Sequence, residues 1–140
     1  MQIIVNVNCW AVLASAVASM VIGSVWYGPL FGKMFISAKG MDKKSPEEMV
    51  AMKKGMVWNY VGQFVASLLM FYVLAYLMGA LNLVSAMGGV QAAFWVWIGF
   101  VVPLLFGEAI WGGKMVLFWL NVSEMLLNLL AAGAIIGALH

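Results

Sequence analysis

Two sets of polar side chains stand inside long apolar stretches of this 140-residue sequence at spacings that can do chemistry. Glu124 is the most telling, because it interrupts the apolar run from Met115 to Leu139. Asn121 and Asn128 flank it three and four residues away, so all three share one helical face. Asn59, Gln63 and Ser67 recur at four-residue steps and share a face of another helix. A carboxyl held away from water, with no lysine at the same depth, suits either a proton-linked site or a hydrogen-bond clasp between helices. Both sets are costly to leave against lipid, which predicts that they turn inward and meet.

The same inventory argues against an enzyme. His140 is the only histidine and lies at the last position, and Cys9 is the only cysteine, read as a small buried apolar residue. No two acids sit at helical spacing within an apolar stretch, so hydrolytic, nucleophilic and metal-dependent catalysis lack their parts. No cofactor and no metal are expected. All seven basic side chains are lysines and the net charge is only +2, which gives nucleic-acid binding no support.

The elements that must position these residues follow from composition. Hydrophobic residues make up 66% of the chain and charged residues 9%, with a mean hydropathy of +1.05. A soluble domain of this length cannot hide so much apolar surface. The expectation is an all-α integral membrane bundle, one domain over 1–140 with four transmembrane helices at about 9–27, 57–79, 89–106 and 115–139. A hydrophilic loop at about 32–54 holds six of the seven lysines and three of the five acids.

The first span has no basic residues ahead of it, so it reads as a retained helix and not a secretion signal. Ala11, Ser15, Ser19 and Gly23 form a small-residue face suited to close helix contact. Its exit is marked by Trp26, Tyr27, Gly28, Pro29 and Gly32. Aromatic rings there favour the headgroup layer, and Pro29 disfavours further helix. In the loop, Ser45-Pro46-Glu47-Glu48 is a helix start with Ser45 as the N-cap, and that helix is expected to run on into span two as a cytoplasmic extension.

An uncharged connector, Ala80 to Gly88, leads to span three, where Pro103 frees the carbonyl of Gly99 and predicts a kink. Span four ends in Gly133-Ala134-Ile135-Ile136-Gly137, a close-contact motif. Two local echoes, Pro29-Leu30-Phe31-Gly32 with Pro103-Leu104-Leu105-Phe106-Gly107 and Gly32-Lys33-Met34 with Gly113-Lys114-Met115, have offsets that disagree. They fall short of an internal duplication.

The stretch from Gly23 to Lys33, Gly-Ser-Val-Trp-Tyr-Gly-Pro-Leu-Phe-Gly-Lys, resembles the bacterial and archaeal membrane proteins grouped as the domain-of-unknown-function 1761 family. The resemblance covers nearly the whole chain. It implies four spans, a tryptophan-tyrosine exit from the first, a hydrophilic first loop and polar residues in the fourth, and it carries no activity onto particular residues.

Two functions fit these readings. One is a transport or permeation protein, acting as a homo-oligomer because four helices hardly enclose a path alone, with its polar site at Glu124, Asn121, Asn128, Gln63, Asn59 and Ser67. The other is a structural or accessory protein that binds lipid or partner proteins. The lysine-bearing loops after spans one and three are expected in the cytoplasm and both termini outside, in a multi-pass protein of the cell membrane.

Overall fold

The computed structural model describes residues 7–38, 45–83, 85–112 and 114–139, and every element among them is helical. Loop residues 39–44, Gly113 and His140 lie outside the described residues. The order is α1 (Cys9–Val25), a π turn (Trp26–Leu30), α2 (Gly32–Ala38), α3 (Pro46–Ala80), α4 (Ala86–Val96), a second π turn (Trp97–Val101), α5 (Val102–Ile110) and α6 (Met115–Ala138). Four stretches are long and apolar enough to cross a membrane: Cys9–Leu30, Lys54–Ala80, Ala86–Ile110 and Met115–Ala138. The protein is an integral membrane bundle of four such helices.

Pro29 acts differently from expectation. Span one does not stop ahead of Pro29; the helix widens, and Phe31 N–H bonds the Trp26 carbonyl five residues back at 2.9 Å. A wider turn absorbs the missing proline donor. The backbone leaves helical geometry only at Phe31, with φ −124°. The first π turn contains Pro29, whereas the second precedes Pro103: Val102 N–H bonds the Trp97 carbonyl, and Pro103 sits in the first turn of α5, where its missing N–H matters least.

The helix of span two begins ahead of its apolar stretch, as its residues predict. Ser45 is extended and its hydroxyl accepts from Glu48 N–H at 3.2 Å, with Pro46 opening the 35-residue α3. From Pro46 to Lys53 the helix extends beyond the apolar span by about 12 Å at 1.5 Å per residue. The connector to α4 is shorter than the sequence implies. Asn82 takes a left-handed φ of 57°, and Ser85 accepts from Gly88 N–H at 3.0 Å, so α4 starts at Ala86.

α6 is the central helix, packed most extensively on α4 and then on α1, while α3 lies mainly against α1. Asn8 donates to the Leu139 carbonyl at 2.7 Å and the Trp26 indole to the Leu120 carbonyl at 3.1 Å, so α1 runs antiparallel to α6. The small face of α1 is buried at Ala11, Ser15 and Ser19. Cys9, expected to be buried, is exposed in the first turn of α1. On the other flank of α6, Gly133 and Gly89 face each other so closely that a Cβ on either would collide with the other's carbonyl, and Gly137 is held equally tightly against the Ser85 carbonyl. These contacts and a core of Ala16, Phe71, Leu74, Met78, Leu129 and Ala132 make the half of the bundle away from the charged loop dry and tight.

Candidate functional site

The other half of α6 carries the polar residues. Asn121 Oδ1 accepts from the Tyr27 hydroxyl at 2.5 Å, bringing the exit motif of span one onto α6. Glu124 Oε1 accepts from Asn128 Nδ2 one turn along the same helix. Asn128 Oδ1 is buried without a hydrogen-bond partner. An asparagine amide can serve the carboxyl in either charge state, giving N–H to a carboxylate or, after a flip, taking O–H from an acid.

Two indoles fix this segment from opposite sides. Trp26 Nε1 donates to the Leu120 carbonyl at 3.1 Å and Trp97 Nε1 to the Val122 carbonyl at 2.8 Å. Residues two apart point about 200° apart on a helix, so α1 and the second π turn bracket α6 on either side of Asn121. Each tryptophan opens its π turn, which aims the ring at α6. Trp26 is therefore half-buried against protein, whereas Trp10, Trp58, Trp95, Trp111 and Trp119 stand exposed on the outside.

Between α1, α3 and α6 lies a cavity of about 690 Å³. α1 and its π turn contribute Ser19, Gly23, Ser24 and Tyr27; α3 contributes Met56, Asn59, Tyr60 and Gln63; α6 contributes Asn121, Glu124 and Met125. Phe35 of α2 and Leu105 of α5 complete the wall nearer the loop. Along α3 the lining reaches from Met56 to Gln63, about 10 Å at 1.5 Å per residue. The dry core closes it at the far end. Gly23 leaves room for the carboxyl: a Cβ there would lie 3.5 Å from Glu124 Oε1, an ordinary contact.

The structure thus brings four of the six expected site residues, Asn59, Gln63, Asn121 and Glu124, to one cavity. Ser67 and Asn128 are buried outside its lining, at 2% and 4% exposure. Gln63 Nε2 reaches Ser67 Oγ at 3.5 Å, and no hydrogen bond among the described residues joins the set on α3 to the set on α6. The two stripes face each other across a space and do not zip together. Sequence reasoning placed Trp26 and Tyr27 at a membrane exit and missed their bonds to α6. A signal existed in the matching Trp-x-Gly of Trp26-Tyr27-Gly28 and Trp97-Ile98-Gly99, each ahead of a Pro-Leu segment. Among the described residues there is no cluster of three metal-ligating side chains and no lysine in the lining of the cavity.

No curated protein and no solved structure matches the chain. A family described as "Protein of unknown function (DUF1761)" matches residues 10–137, a stretch that includes all four spans, the exit motif and Glu124. The chain belongs to that family.

Proposed function

We propose that the protein is a membrane carrier that binds a small solute in the cavity between α1, α3 and α6, with the Glu124 carboxyl as its central group. The observation that carries this reading is a carboxyl only 7% exposed, at the wall of a cavity of about 690 Å³ that the dry core closes at one end. An ionisable side chain at membrane depth is costly, and a site able to hold several non-hydrogen atoms beside it gives that cost a use. A space closed at one end suits a carrier that opens alternately better than a continuous pore. Reconstituted protein should move at least one solute from a panel of ions and small metabolites into liposomes. Glu124→Gln should keep the fold, seen as unchanged melting and size, and lower that flux at least tenfold. Equal flux in the variant would leave the carboxyl as a clasp.

That clasp is the competing reading, of a structural membrane protein, and it is favoured by the Glu124–Asn128 and Tyr27–Asn121 bonds, which satisfy polar groups inside the chain. The carrier is the better reading because a clasp needs no open space beside it. It works as a homo-oligomer: in the most apolar stretch of span three only 6% of residues are buried, which leaves the face turned away from α6 open to a second copy. The cavity lies in the half of the bundle nearer the lysine-bearing loop and faces the cytoplasm, with both termini outside. Single cysteines at Ser45 and Ser85, made in a Cys9→Ser background, should react with an impermeant thiol reagent in intact cells at position 85 only. Reaction at position 45 alone would invert the orientation.

A further inference from the structure

We infer that the cavity takes a small organic cation, for which Glu124 is the counter-ion and the aromatic and thioether side chains are the walls. The inference rests on the carrier reading and names its substrate class. Among the described residues that line the space, Glu124 is the only acid and there is no lysine or histidine, so the described lining offers a carboxylate no counter-charge. An anion would find no group of positive charge to pair with among the described lining residues, and its entry is disfavoured. A bare inorganic cation needs several oxygen ligands at fixed distances, and the single carboxyl with scattered amides does not supply such a cage. An alkylammonium group asks for less. Its charge is spread over a greasy shell that is satisfied by one carboxylate and by the faces of aromatic rings.

Those faces are present. Tyr27 and Phe35 pack at 4.7 Å between ring centroids on one side, and Tyr60 lines the side contributed by α3. Met20, Met56 and Met125 add polarisable thioethers that adapt to solutes of different shape. The volume, about 690 Å³, lies inside the range of about 300–1,000 Å³ typical of sites for small organic molecules. Binding is an exchange: the cation enters as the Glu124 carboxyl gives up its proton, and the site's net charge is unchanged. Among the described residues the titratable groups that line this space are Glu124 of α6, Tyr27 of the first π turn and Tyr60 of α3, whereas α2 and α5 present Phe35 and Leu105. A carboxyl is a far stronger acid than a phenol, so the proton released is that of Glu124.

The test uses full-length protein in detergent, titrated calorimetrically with choline, tetraethylammonium, benzyltrimethylammonium and tetraphenylphosphonium, alongside 3,3-dimethyl-1-butanol as the uncharged counterpart of choline. At least one cation should bind, with proton release followed in weak buffer, and the butanol should not compete. Glu124→Gln should weaken binding at least tenfold and abolish the proton release. Tyr60→Leu should weaken it about fivefold, and Tyr60→Phe, which keeps the ring, should lose less. Tyr60 is largely exposed, so its variants probe the wall with little risk to the fold. Binding of no cation, or equal binding by the Glu124→Gln protein or by the butanol, overturns the inference. Flux of another solute that still depends on Glu124 would then leave the carrier reading standing. Cation binding without flux in liposomes would keep the inference and remove the carrier.

Discussion

The two sides of α6 meet their neighbours in opposite ways. Toward α4, Gly133 and Gly137 bring backbone against backbone at Gly89 and Ser85. Toward α1 and α3, Asn121 and Glu124 border a cavity of about 690 Å³. In lipid, where apolar side chains gain little from leaving the solvent, close packing of small residues is the main adhesive. The polar residues satisfy one another locally, Glu124 with Asn128 and Asn121 with Tyr27, and leave a space between helices. In this bundle the glycines hold and the polar side chains keep open.

The sharpest way to break that contrast is to add one methyl group on the tight side. In Gly133→Ala the new Cβ runs into the Gly89 backbone carbonyl, which cannot rotate away as a side chain could. The cost should be about 3 kcal/mol or more, at the upper end of overpacking effects. Gly62→Ala is the control, since a Cβ there meets nothing within 4 Å. Melting of both variants in detergent decides the matter: a Gly133→Ala protein as stable as the control would mean that the tight side is not what holds α6.

How far this contrast was legible in the sequence depended on the kind of signal. Hydropathy and spacing gave the four spans, the Ser45 cap and the small face of Ala11, Ser15 and Ser19, because each is a local pattern with one physical outcome. Gly133 and Gly137 were readable as a contact motif, but their partner Gly89 was not, since pairing between helices is absent from either helix's own pattern. Of the polar stripes, Glu124, Asn128 and Ser67 are buried and Asn121 half-buried, whereas Asn59 and Gln63 are exposed. That they would border a cavity and not bond to each other depends on how far apart α3 and α6 lie, which α1 sets. Pro29 was misjudged for a local reason: the rule that proline ends a helix omits the π turn, which accommodates the ring without breaking the span.

A smaller effect separates the two tryptophans that bracket Asn121. Trp26→Phe and Trp97→Phe each delete one N–H donated to an α6 carbonyl, and each should cost about 1 kcal/mol of stability. Their effects on flux should differ. Trp26 shares its π turn with Tyr27 and Gly28, which line the cavity, so Trp26→Phe should lower solute flux severalfold. Trp97 lies outside the lining, and Trp97→Phe should leave flux per folded molecule unchanged. Equal losses of flux would mean that the position of α6, set by both rings, governs the cavity more than its near wall does.

The smallest stability effect, and the closest mirror of Gly133→Ala, is expected from Gly23→Ala. The substitution is chemically identical, but on this side a Cβ would lie 3.5 Å from Glu124 Oε1, which is ordinary contact. Alanine favours the helical backbone over glycine by roughly 0.5–1 kcal/mol, so the variant should melt at or slightly above the unsubstituted protein. Its function should nonetheless change. The methyl group takes space beside the carboxyl and displaces water or solute from it, so flux should fall although stability does not. A Gly23→Ala protein that loses stability like Gly133→Ala would show that α1 and α6 are also held by close packing, and the division of α6 into a holding side and an open side would be wrong. Stability kept with flux lowered would tie the open side to function through a residue that carries no polar group of its own.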